Sequence, residues 1–95
     1  MKIATREELL TYLEKRFPKM FLRTTEEFDG SVGGIWTSGE ASMNQPMISG
    51  QRVFDYYSEN KQYELGVLKK FEESINKKGW FSQWNDCGTI MLYLI

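Results

Sequence analysis

A chain with no histidine has few routes to acid–base or nucleophilic chemistry, and here the remaining candidates are one thiol and scattered carboxylates. Cys87 stands between Asp86 and Gly88 with no cation or imidazole beside it, whereas a reactive thiolate wants a nearby positive charge, a helix N-terminus or a base. It reads as a turn residue. Asp29, Glu40, Asp55 and Asp86 lie next to glycines or aromatics. A paired-carboxylate hydrolase needs two such groups about 5–10 Å apart across a cleft. Asp29, Glu40 and Asp86 are better explained as turn and loop residues, which leaves Asp55, between Phe54 and Tyr56, as the unusual carboxylate. Gly30-Ser31-Val32-Gly33-Gly34 is glycine-rich but lacks the Lys-Ser/Thr of a phosphate-binding loop. One cysteine and no histidine also remove internal disulfides, multi-thiolate zinc sites and histidine-based triads. The expectation is a protein that is not an enzyme, with no metal and no cofactor; an enzyme working without histidine, through Asp, Tyr or Cys alone, is the least favoured alternative.

Binding chemistry is better represented. Trp36, Phe54, Tyr56, Tyr57, Trp80, Phe81, Trp84 and Tyr93 are more aromatic bulk than one face of a small sheet can bury. Trp, Tyr and Met are enriched in the cores of interfaces. The net charge of −1, from 12 basic and 13 acidic residues, is poor ground for a nucleic-acid partner or a membrane surface. No run approaches the roughly 20 apolar residues that span a bilayer, and the opening residues show no apolar leader core. The default is therefore a cytoplasmic module that binds a protein partner or a second copy of itself. Its size also suits an accessory protein of a phage or mobile element. The alternative is a small-ligand pocket near Trp36 and Asp55, closed by the polar 40–50 loop.

The elements that must position these residues follow from periodicity. Thr5-Arg6-Glu7-Glu8 has the form of a capping box, Leu9, Leu10, Leu13 and Phe17 share one face, and Pro18 ends the element, which predicts a helix over 6–16. After Met20-Phe21-Leu22 the choice lies between a strand and a helical turn capped by Thr24 or Thr25. Ile35-Trp36-Thr37 reads as a short strand, and Gln51 to Tyr57 as a longer one. Ser58-Glu59-Asn60 offers a cap for a second helix. In that helix Tyr63, Val67, Phe71 and Ile75 recur every four residues, Leu68 widens the stripe, Gly66 marks close packing and Gly79 stops it. The order helix–strands–helix superficially resembles a double-stranded-RNA-binding domain. That family carries a lysine cluster at the start of its last helix, where this chain has the nearly neutral Glu59-Asn60-Lys61-Gln62-Tyr63-Glu64, and nothing is carried over from it.

Residues 80–95 read as a hairpin turning at Asn85-Asp86-Cys87-Gly88, with Gly88 in the left-handed position of a bulge. That register sets Trp80 against Leu94, Ser82 against Leu92 and Trp84 against Ile90 on the core side, with Leu92 and Leu94 buried. Phe81 then opposes Tyr93, and Gln83 opposes Met91, on the other side. The whole is an α+β fold: one domain over residues 1–95, an antiparallel sheet of about four to five strands with two helices on one face, in the order α-β-β-β-α-β-β. The predicted docking patch is Phe81, Met91 and Tyr93, extended by Phe54 and Tyr56 from a neighbouring strand.

Overall fold

The computed structural model describes residues 3–39 and 46–95. Helix α1 spans Arg6–Arg16. Its capping box is complete: the Glu8 amide donates to the Thr5 hydroxyl at 3.1 Å, and the Thr5 amide donates to the Glu8 carboxylate at 2.9 Å. Strand β1 (Arg23–Thr24) leads directly into the four-residue helix α2 (Thr25–Phe28), where the Glu27 carboxylate reaches back to accept from the Thr24 amide at 3.2 Å. The chain thus uses both of the alternatives that residues 20–28 offered. β2 (Ile35–Ser38) follows, then four two-residue strands: β3 (Met47–Ile48), β4 (Gln51–Arg52), β5 (Tyr63–Glu64) and β6 (Val67–Leu68). Helix α3 (Lys69–Asn76), β7 (Trp80–Asp86) and β8 (Thr89–Leu94) complete the fold.

The main sheet is antiparallel in the order β1-β2-β8-β7, with β3-β4 and β5-β6 as separate two-stranded hairpins. Alternation along the strands sends Ile35, Thr37, Ile90, Leu92 and Trp80 to one face. There they meet Leu9, Leu13 and Phe17 of α1 and its end, Phe71 and Ile75 of α3, and Val53, Phe54, Val67 and Leu68 in one core. Trp80 is fully buried, and its indole N–H is satisfied by the Ala4 carbonyl at 2.9 Å. Two threonines are also fully buried and bonded: Thr25 donates to the Ser31 carbonyl at 2.8 Å, and Thr37 to the Phe21 carbonyl at 2.6 Å.

The predicted strand over 51–57 is much shorter than expected. Only Gln51 and Arg52 pair as β4, Phe54 makes one isolated bridge to Val67, and Tyr56-Tyr57 is a turn. The predicted second helix starts late, at Lys69. Leu65 and Gly66, at φ of 51° and 77°, form the two-residue loop between β5 and β6. A turn with two positive φ values matches the twist of its flanking strands, so residues 63–68 fold as a hairpin. Tyr63 and Val67 belong to that hairpin, and only Phe71 and Ile75 of the apolar stripe are helical. Ser58 and Asn60 cap turn amides at 60 and 62, not a helix. Gly66 does mark a close approach: a Cβ there would lie 2.9 Å from the Tyr56 Cα. Of the expected 40–50 loop, residues 40–45, including Glu40, lie outside the described residues, and 47–52 form the β3–β4 hairpin.

Gly79 ends α3 with φ of 84°, as its position predicts. The β7–β8 register is the expected one: Trp80, Phe81, Ser82, Gln83 and Trp84 pair with Leu94, Tyr93, Leu92, Met91 and Ile90. The bulge falls three residues earlier than expected, at Asn85, and Gly88 is not left-handed. Asp86 holds the turn by accepting from the Gly88 amide at 2.9 Å. Leu92 is fully buried, but Leu94, the last residue of β8, is 52% exposed and so is not the core residue expected.

Two consequences are measurable. Thr5→Ala removes one half of a complete capping box and should lower stability by about 1 kcal/mol in urea titration. The Arg6 guanidinium, 2.7 Å from Glu26, together with backbone donors including the Gly33 amide, holds the Glu26 carboxyl below the usual glutamate value of about 4.3. A depressed folded pKa gives stability that is present above the unfolded value and lost as pH falls through the folded one. The wild-type urea midpoint should therefore fall on acidification below about pH 4.3, and Glu26→Gln should flatten that fall.

Candidate functional site

Because α1 and α3 both lie on the inner face, the outer face of the main sheet is built by the intervening residues of each strand. Phe81 and Tyr93 sit opposite each other with ring centroids 6.2 Å apart. Met91 lies between Gln83 on β7 and Trp36 on β2. Trp36 is flanked by Phe21 and Phe28, each with its ring centroid 5.0 Å away. Arg23 lies over the Phe21 ring at 5.2 Å. The result is a strip of half-buried rings, Phe81 and Tyr93 at one end and Trp36 and Phe21 at the other, with Phe28 38% exposed and Met91 almost covered between them.

A glycine sets the strip's shape. Gly34 precedes Ile35, whose partner is Leu92, so it falls beside Tyr93 in the same register. A Cβ at Gly34 would stand 2.5 Å from the Tyr93 Cε1 and 2.9 Å from the Thr25 Cγ2. Only glycine lets the phenol ring lie down on the β2 backbone. Around this end runs a polar rim, where a depression of about 250 Å³ is lined by Asp29, Gln83, Trp84, Asn85, Met91 and Tyr93. Hydrogen bonding from Ser31 holds the Asp29 carboxyl below its ordinary value, so it is a fixed negative charge at that rim.

The other expected site residues are dispersed. Phe54 is fully buried on the inner side, against Phe71 at 5.4 Å, and does not extend the outer face. Tyr56 stacks edge-on to Trp84 at 4.9 Å, and Trp84 belongs to the inner face because it pairs with Ile90. Trp36 and Asp55 are not brought into one pocket: Trp36 is on the outer face, while Asp55 follows the buried Phe54 and donates its amide to the Gly66 carbonyl at 2.9 Å. Burial, and then the Asp55 carboxylate, raise the Tyr63 phenol above its ordinary value, so it stays protonated at neutral pH. Cys87 is exposed at the tip of the β7–β8 hairpin. Among the described residues no three of Cys, Asp and Glu are grouped so as to hold a metal ion, and no helix is long and apolar enough to cross a membrane. Comparison with protein-family models, with curated proteins and with solved structures returns no match.

Sequence reasoning placed Phe81, Met91 and Tyr93 on the face opposite the core but missed that Phe21, Phe28 and Trp36 continue the same surface. The alternation of Ile35 and Trp36 across the short β2 strand was the available signal. The close fit at Gly34 makes a direct check. Gly34→Ala should destabilise the fold by roughly 1–3 kcal/mol through overpacking. The loss should shrink when Tyr93→Ala is added, as read from a double-mutant cycle in urea.

Proposed function

We propose that this chain is a non-enzymatic interaction module that docks through the outer face of its main sheet, and that the occupant of that face is a second copy of the chain. The observation that supports this reading is the one-sided placement of the long helices. α1 and α3 pack in the core on the inner face, whereas among the described residues the outer face is met by short pieces: Phe21 and Phe28 at Trp36, and Thr25 of α2 beside Tyr93. The Phe81–Tyr93 end has two facing rings at its centre and Asp29, Gln83 and Asn85 at its rim, the usual arrangement of a docking patch. With 12 basic and 13 acidic residues, two copies repel each other little as they approach face to face. A cytoplasmic setting suits Cys87, since an exposed free thiol persists in a reducing compartment.

Sedimentation equilibrium over a range of protein concentrations tests this. The wild type should show a monomer–dimer equilibrium, and Tyr93→Glu and Phe81→Lys should each shift it to monomer while circular dichroism stays native. Wild-type protein that remains monomeric at the highest concentration would overturn self-association. An unchanged dimer in both folded variants would move the contact to another face.

A further inference from the structure

β7 is an edge strand, and its outward backbone groups fall into two sets. The Trp80 carbonyl accepts from the Asn76 side-chain amide at 2.8 Å, and the Ser82 amide donates to the Glu72 carboxylate at 3.2 Å. By the two-residue period of a strand, the Ser82 carbonyl and both backbone groups of Trp84 point the same way. No side chain of the described residues bonds them. Half of the edge is capped, and half is left as a template for another strand.

Beside the open half lies a groove of about 410 Å³ between β7 and the β5–β6 hairpin. Its walls carry the carboxylates of Glu64 and Glu72 and the apolar surfaces of Leu65 and Trp84, and no lysine or arginine lines it. Leu65 is the odd residue. It sits at the hairpin tip with φ of 51°, a conformation that Asn or Gly adopts at far less cost, and its side chain is 87% exposed. Its carbonyl accepts from the Trp84 indole at 2.6 Å, which holds the tip beside the groove. Neither packing nor turn chemistry accounts for a leucine there.

We propose that this groove receives an extended peptide segment of a partner protein, which adds as a strand to β7 at Ser82–Trp84. The segment carries a lysine or arginine whose charge meets Glu64 and Glu72 over the Trp84 ring, and an apolar side chain two residues away that rests on Leu65. Strand addition supplies affinity through backbone bonds, and alternate side chains supply specificity. The two carboxylates with no opposing cation select the positive residue. This surface is separate from the outer face and does not depend on self-association.

The full chain is panned against displayed random heptapeptides, and the most enriched sequence is synthesised and titrated by tryptophan fluorescence. The enriched pool should show Lys or Arg at one position with an apolar residue two places away. Glu64→Lys should weaken the synthetic peptide at least tenfold. Leu65→Asn should weaken it several-fold while raising the urea midpoint, because Asn tolerates the positive φ. Tyr93→Glu and Phe81→Lys should leave peptide affinity unchanged, so failure of the outer-face reading leaves this result standing. No enrichment, enrichment without a cation, or peptide binding unaffected by Glu64→Lys and Leu65→Asn would overturn the proposal.

Discussion

Strand β8 is an interior strand of the main sheet, paired on both sides along most of its length. Ile35 to Ser38 pair with Leu92 to Thr89 on one side, and Trp80 to Asp86 pair with Leu94 to Thr89 on the other. Every face assignment in the sheet follows from this double pairing. It sends Ile90 and Leu92 to the helices, and Met91 and Tyr93 to the outer face. A slip of one residue would exchange the two sets and put Tyr93 in the core. The extra residue at Asn85 fixes the register by ending the regular ladder before the turn. The pairing with β2 also closes a long loop, so β8 organises the fold although it comes last in sequence. Such contacts carry a loop-closure cost that the buried apolar side chains offset.

The edges of the sheet are handled differently from its centre. β1 has only two residues, which limits what can pair with it. β7 is long, and α3 runs beside it with Glu72 and Asn76 placed to satisfy its backbone. The Ser82 hydroxyl also donates to the Glu72 carboxylate at 2.5 Å, so one glutamate serves two groups of the same edge residue. The start of the described chain is tied to the same region, since the Ala4 amide donates to the Lys78 carbonyl at 2.9 Å and Ile3 packs on Gly79. The outer face proposed for docking and the open edge proposed for strand addition therefore lie on one hairpin.

The parts legible in the sequence were those set by local chemistry. The capping box at Thr5 and Glu8, the proline after Phe17 and the glycine at 79 each act within a few residues, and both ends of α1 and the end of α3 followed from them, whereas the start of α3 did not. The β7–β8 register was legible because a short turn and two alternating runs leave few pairings. Residues 46–68 were not, for a physical reason. Ser49-Gly50 and Leu65-Gly66 make tight turns with positive φ at both positions, yet Ser and Leu are poor signals for such turns beside Asn or Asp. Val67 and Leu68 satisfy a helical spacing and a buried strand equally well, and tertiary packing against Val53 and Phe54 decides between them. The same ambiguity misplaced Phe54 and Tyr56, whose faces depend on pairings made outside the main sheet. Leu94 has the pattern of a core residue yet is half exposed, because burial at a strand end is set by what packs over it, which its own neighbours do not encode.

The claim that β8 is the doubly paired centre of the fold is tested most directly by native-state amide hydrogen exchange. Ile90 to Tyr93 should exchange only through global unfolding, with free energies that match the stability measured in urea. Residues at the β3–β4 and β5–β6 tips should exchange orders of magnitude faster. Rapid exchange at Leu92 and Tyr93, like that of a fraying terminus, would contradict the account and with it the assignment of both sheet faces.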